Sequence, residues 1–184
     1  SILYPTPYHR DFADRLTTTP PQLIITLVSP MTISGHEFND LDGDGTWDQG
    51  EPALEGWTIN LDGPVSKTTT SDSTGYYEFT ELLPGTYTIS EALQDGWIQT
   101  EPAPPGTYPV SLTSSSVTDK DFGNFRLVTI TADKWNDLDG DGVRDGGEPD
   151  IPGWKLIITY PDGTTYTMDS PASWVVGKGG TYTI

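Results

Sequence analysis

The chain has no cysteine, so its fold cannot rest on disulfides and its redox compartment cannot be read from thiols. Basic residues are scarce: 9 Lys and Arg stand against 27 Asp and Glu, a formal charge of −18. A charge of that size repels phosphate backbones and anionic membrane surfaces, so no nucleic-acid partner and no membrane insertion are expected. Long apolar runs are also missing. The longest aliphatic stretch is Leu23, Ile24, Ile25, then Leu27 and Val28, too short to span a bilayer. No signal peptide is visible, and Ser1 in place of an initiator Met reads as a processed or trimmed chain. The two histidines, His9 and His36, lie outside any nucleophile or metal-ligand constellation, so no enzyme is expected. There is no Asn-x-Ser/Thr sequon, while Thr-rich clusters leave O-glycosylation open.

What is present is turn chemistry and aromatic residues. With 20 Gly, 16 Pro and recurrent Ser/Thr clusters, the composition predicts many short strands joined by turns, an all-β class. Six Trp, nine Tyr and five Phe argue for packed domains over an acidic solvating tail. At 184 residues and 34% apolar content, two small domains fit better than one large core.

An internal repeat organises the chain. Residues 39–57 laid over residues 136–154 give 13 identities in 19 positions without a gap, at an offset of 97. Gly85, Thr86, Tyr87, Thr88 and Ile89 match Gly180, Thr181, Tyr182, Thr183 and Ile184 at an offset of 95. The organisation expected is an N-terminal extension at 1–30, a complete sandwich at 31–126, and a second sandwich at 127–184 lacking its last strands. In the first copy, alternation predicts strands at about 31–38, 57–62, 65–71, 76–80, 86–91, 107–113 and 117–125, which make a two-sheet sandwich. Trp57, Ile59 and Leu61 should face one way, as should Tyr77 with Phe79 and Tyr87 with Ile89, all as core.

Each copy opens with a twelve-residue acidic loop. Residues 40–51 carry Asp40, Asp42, Asp44, Gly45, Asp48 and Glu51, and residues 137–148 carry Asp137, Asp139, Asp141, Gly142, Asp145 and Glu148. Both fit the loop in which positions 1, 3 and 5 offer carboxylates to a hard Ca²⁺ ion and position 7 a backbone carbonyl, here Thr46 and Val143. Position 9 acts through water, position 12 is a bidentate Glu, and Gly at position 6 permits the sharp turn. Five carboxylates in twelve residues would repel one another without a cation, so two Ca²⁺ ions per chain are expected. Pro52 and Pro149 follow the final Glu and block an exiting helix, and Thr32, Ile33, Ser34 and Gly35 on the near side read as strand. The ion is therefore expected as a structural staple spliced between strands, with an affinity on the order of 10⁻⁴ to 10⁻³ M.

With Glu51-Pro52, Gly75-Tyr76-Tyr77-Glu78-Phe79, Leu83-Pro84-Gly85-Thr86-Tyr87 and Phe122-Gly123-Asn124-Phe125, the first copy resembles the calcium-binding B-type repeats of serine-aspartate-repeat surface adhesins. The resemblance implies tandem Greek-key, prealbumin-like (immunoglobulin-like) β-sandwiches forming a stiff, secreted, cell-surface stalk without catalysis. The second copy departs from the pattern, with Ala172-Ser173-Trp174-Val175-Val176 for Gly-x-Tyr-x-Phe and Gly179 for the proline. Some relatives of this fold carry a Lys-Asn isopeptide bond between first and last strands. None is expected here, since no Lys lies in the first strand, Lys67 is misplaced, and Lys134 has no matching Asn.

At the 97-residue offset, residues 1–28 fall on 98–125, with Pro5 and Pro7 on Pro102 and Pro104. The chain thus reads as a permuted unit that polymerises head to tail, Leu23, Ile24, Ile25, Leu27 and Val28 serving as donor strand for the second domain of a neighbouring copy. Self-completion within one chain competes with this geometry. A Pro-rich linker in a slice of a longer repeat-array adhesin is the alternative. A carbohydrate or host-ligand binding module is a further one, with Trp47 and Trp97 in or beside loops as sugar platforms.

Overall fold

In a computed structural model, residues 29–184 are described, and every regular element among them is a strand. The first eight are β1 (Met31–Asn39), β2 (Thr58–Asp62), β3 (Lys67–Thr70), β4 (Tyr76–Leu82), β5 (Gly85–Glu91), β6 (Trp97–Glu101), β7 (Thr107–Leu112) and β8 (Phe122–Arg126). They form two four-stranded sheets, ordered β4-β1-β8-β6 and β3-β2-β5-β7. All pairings are antiparallel except that of β1 with β8, where Glu37, Phe38 and Asn39 run parallel to Phe122, Gly123 and Asn124.

The alternation that predicts the strands also fills the space between the sheets. Ile59 and Leu61 from β2, Tyr77 and Phe79 from β4, Tyr87 and Ile89 from β5, and Phe122 from β8 are all buried in one cluster with Ile33. Each fully buried side chain of this kind contributes roughly 1.5–3 kcal/mol relative to exposure. Tyr77 keeps its hydroxyl satisfied by donating to the Lys120 carbonyl, and Tyr87 donates to the Leu83 carbonyl at 2.9 Å.

Two expectations need correction. The stretch expected as one strand at 117–125 is a single bridge, Val117 to Ile33, followed by β8. The strand β6 is absent from the sequence prediction. It pairs with β8 and has no clean inside-outside alternation, because four of its five residues are half-buried. Trp97 opens β6 beside the turn at Asp95 and Gly96 and packs edge-on against Trp57, with ring centroids 5.5 Å apart at 87°.

The remaining strands are β9 (Val128–Ala132), β10 (Lys155–Thr159), β11 (Thr165–Asp169) and β12 (Ala172–Val176). They form two-stranded antiparallel pairs, β10 with β11 and β12 with β9. Ile130 pairs with Trp174 as Ile33 pairs with Phe79, so Trp174 stands for Phe79 and Ala172 for Tyr77, a register shifted by two from the Gly-x-Tyr-x-Phe alignment. Ile158, Ala172 and Trp174 form a second, smaller buried cluster. Its flanks are open: Trp154, the counterpart of buried Trp57, is 53% exposed, and Val128, the counterpart of buried Met31, is 49% exposed. Among the described residues no helix is long and apolar enough to cross a membrane. The strand-donor candidates Leu23, Ile24, Ile25, Leu27 and Val28 lie outside the described residues.

Candidate metal centre

The loop at residues 40–51 begins where β1 ends. Its first ligand candidate, Asp40, is fully buried, and its N–H donates to the Asn124 carbonyl at 3.0 Å, which ties the loop to β8. The chain then wraps around that carboxylate. Gly43 and Gly45 N–H donate to its two oxygens at 2.6 and 2.7 Å, and the turn needs Gly45 at φ 83°, a left-handed conformation open to glycine. Glu51 closes the loop from the far end, its two oxygens accepting the Leu41 and Asp48 N–H groups at 2.6 and 3.0 Å.

This wrapping gathers carboxylates. Oxygens of Asp40, Asp42 and Glu51 lie within 4.8 Å of one another, and so do those of Asp42, Asp44 and Asp48. Asp42 belongs to both groups. Partial desolvation, followed by the charges of Asp44 and Asp40, pushes its carboxyl up despite the Asp44 N–H. For Asp40 burial acts upward as well, but the nearby Thr100 hydroxyl and the N–H groups of Gly45, Gly43 and Asp44 outweigh it and hold the carboxyl below its ordinary range. Thr46 donates its N–H to Asp44 at 2.7 Å, leaving its carbonyl as the position-7 oxygen.

The loop at residues 137–148 repeats this pattern. Gly140 and Gly142 N–H donate to Asp137 at 2.7 and 2.9 Å, Val143 N–H to Asp141 at 2.7 Å, and Leu138 and Asp145 N–H to Glu148 at 2.8 and 3.0 Å. The Gly142 N–H, against a smaller upward effect of desolvation, leads the bonds that lower the Asp137 carboxyl. Asp137, Asp139 and Asp141 cluster, while Asp145 and Glu148 do not join a group with them. The donor set is thus all hard oxygen in both loops, the chemistry suited to Ca²⁺, and the first is the more gathered.

Trp47 covers one side of the first loop. Its ring stacks on Phe38 at 5.5 Å and 10°, and its indole N–H donates to the Glu51 carbonyl at 3.1 Å. His36 has its N–H accepted by Asp121 at 2.8 Å and its ring beside Trp47. Lys67 donates to the Thr80 carbonyl, and Lys134 lies over the Trp154 ring at 5.7 Å.

Sequence reasoning misses a polar cluster beneath the loop. Glu37 and Asn124 are fully buried, and the Asn124 amide donates to Glu37 at 3.1 Å and to Glu91 of the opposite sheet at 2.7 Å. One oxygen each of Glu37, Glu91 and Asn124 has no partner. Burial first, then the charge of Glu91, pushes the Glu37 carboxyl far above its usual range, and burial raises Glu91 too. The available signal was an acid on the same alternation as Ile33 and Gly35.

Fold and loops together define the class: an all-β sandwich repeat that carries an acidic twelve-residue loop after its first strand. Residues 31–121 match the family model described as the SdrD B-like domain, and this part of the chain belongs to that family. The chain is 32% identical over 165 residues to Colossin-A of Dictyostelium discoideum, covering 84% of this chain and 2% of that protein. It is 28% identical over 176 residues to serine-aspartate repeat-containing protein F of Staphylococcus epidermidis (86% and 10% covered). To serine-aspartate repeat-containing protein D of Staphylococcus aureus strain Newman it is 26% identical over 181 residues (83% and 13%). The chain therefore spans a small part of the relatives it matches. Among solved structures, the Bacillus anthracis TIE protein is similar at TM-score 0.46 and 13% identity, covering 84% of this chain and 27% of that one. The shaft pilin spaA from Lactobacillus rhamnosus GG gives 0.42 and 13%, with 74% and 63% covered.

Proposed function

We propose that this chain is a non-catalytic spacer module of an extracellular, cell-surface stalk, made rigid by Ca²⁺ held in its two acidic loops. The observation that carries the reading is the position of Asp42 in two overlapping carboxylate groups, directly after a strand of the core. Asp40, Asp42, Asp44, Asp48 and Glu51, with the Thr46 carbonyl, would hold one ion; Asp137, Asp139, Asp141, Asp145 and Glu148, with the Val143 carbonyl, the other. The ion supplies positive charge where the acids repel each other, and so fixes loops that disulfides do not. The partners are other units of the same kind, with a surface ligand at the end of the stalk. Calorimetric titration of metal-free protein tests this: saturable uptake at millimolar Ca²⁺ with a raised melting temperature is expected. An unchanged melt on adding calcium after chelation would sink the staple role.

A second reading is favoured by the exposure of Trp154 and Val128. Where β1 carries β8 on its edge, β9 carries no such neighbour among the described residues. A strand from another molecule would complete that sheet, with Leu23, Ile24, Ile25, Leu27 and Val28 as the donor and a head-to-tail homopolymer as the product. Inward side chains of about 1.5–3 kcal/mol each must exceed an association cost of about 4–15 kcal/mol, so two donated strands hold better than one. Deleting residues 1–28 and imaging the product by electron microscopy decides the matter, since filaments that persist would rule out donation.

A further inference from the structure

The calcium-loop candidate of the first repeat also touches the second. After β12 the chain turns at residues 177–179 and lies across residues 41–43. The Gly179 N–H donates to the Asp42 carbonyl at 3.1 Å. A Cβ on Gly179 would stand 2.5 Å from the Leu41 carbonyl oxygen and 2.7 Å from the Asp42 Cα, both backbone, so no side chain fits. Across the contact, a Cβ on Gly43 would meet the Lys178 Cα at 3.3 Å, and one on Gly177 would meet Leu127 and Ile98 side chains at 3.4 and 3.5 Å. From its own side the turn is held by the Tyr182 hydroxyl, which donates to the Lys178 carbonyl at 2.6 Å.

The first repeat carries a different residue at the equivalent turn. Gly180 aligns with Gly85, so Gly179 takes the place of Pro84. A proline has no N–H to give a carbonyl, and its ring would occupy the space that the loop backbone fills. The departure of the second repeat from the family pattern thus has a physical reason in this contact. The ridge of the second loop, Leu138, Asp139 and Gly140, repeats residues 41–43 in sequence, and nothing lies within 4 Å of a Cβ on Gly140.

We propose that residues 41–43 are a docking seat for the glycine turn of the following unit, with Gly179 as the residue that selects it. Residues 138–140 form the same seat, open to a further unit that carries glycine at this position. The proposal deepens the stalk reading and rests on it for its role.

The test is nitrogen-15 relaxation of the full chain, with calcium and with chelator, comparing the rotational correlation times of the two repeats. Equal times are expected for the unaltered chain in calcium. Gly179→Pro and the milder Gly179→Ala should each split them, with the second repeat, residues 127–184, tumbling faster than the larger first repeat, residues 31–126, while Val175→Thr, on an exposed position of β12, should not. Retained amide dispersion around Trp174 separates lost docking from lost folding, and the alanine variant serves if the proline variant unfolds. Repeats that tumble independently in the unaltered chain while calcium is bound would overturn the seat and leave the stalk reading standing. Coupled tumbling in both glycine variants would overturn it as well. Coupling that is lost in the variants although no calcium binds would support the seat and remove the ion from the stalk reading.

Discussion

Glu37 is buried as a carboxyl against a second carboxyl, and its proton is part of the fold. Because burial and Glu91 raise its folded pKa above the unfolded value of 4.5, the folded state keeps a proton that the unfolded chain releases as pH rises. The stability that Glu37 contributes is therefore fully present below the ordinary carboxylate range and is lost as pH climbs through neutrality, opposite in sign to that of Asp40 and Asp137, whose lowered carboxyls contribute less as pH falls. Glu37→Gln, neutral at every pH and still able to accept from Asn124, should flatten that decline. It is expected to be more stable than the unaltered chain by about 1–3 kcal/mol near about pH 8, with the difference closing near about pH 4.5. Denaturant midpoints across that range check it, and parallel profiles would contradict it. Trp97 and Trp154 give a second contrast at this scale. Trp97→Ala removes the ring that seals buried Trp57 and should cost about 2–4 kcal/mol. Trp154→Ala, at a position 53% exposed, should cost less than about 1 kcal/mol in thermal or chemical melts.

At the scale of elements, the loops are closed by Glu51 and Glu148, each of which binds backbone N–H groups at both ends of its turn. Replacing Glu51 by Gln should halve the calcium taken up per chain, as should Glu148→Gln, and the double variant should take up none at millimolar calcium. Metal analysis after dialysis reads this directly. These loops were legible because every ligand candidate sits within twelve residues at fixed spacing, and β2 and β5 were legible because Ile59, Leu61, Tyr87 and Ile89 alternate cleanly. What escaped was non-local. β6 has no alternation of its own and owes its place to β8. Glu37, Glu91 and Asn124 meet from two sheets, with Glu37 and Asn124 87 positions apart in the chain. The register of β12 shifts because the turn at Asp72 and Thr74 in the first repeat has no counterpart after Ser170, a deletion that aligned aromatic residues conceal.

For the whole molecule, ten of the chain's 27 acids lie in the two loops, five in each. Removing calcium should therefore loosen the repeats where they join, not only lower their melting temperatures. Small-angle scattering is expected to show a single extended form in millimolar calcium and a broader spread of maximum dimensions in chelator. A profile that does not change with calcium would mean that the acids leave the shape untouched.

The parallel pairing of β1 with β8 has a mechanical consequence. The chain enters this sandwich at Met31 and leaves it at Arg126, on two strands that run side by side in the same direction. Tension along the chain therefore loads the bonds that link the two ends all at once, in shear: Asp40 to Asn124 at 3.0 Å, Ser34 to Val117 at 3.1 Å, and the ladder at residues 37–39. A module pulled in this way resists until the whole set gives, instead of opening one bond at a time from an edge.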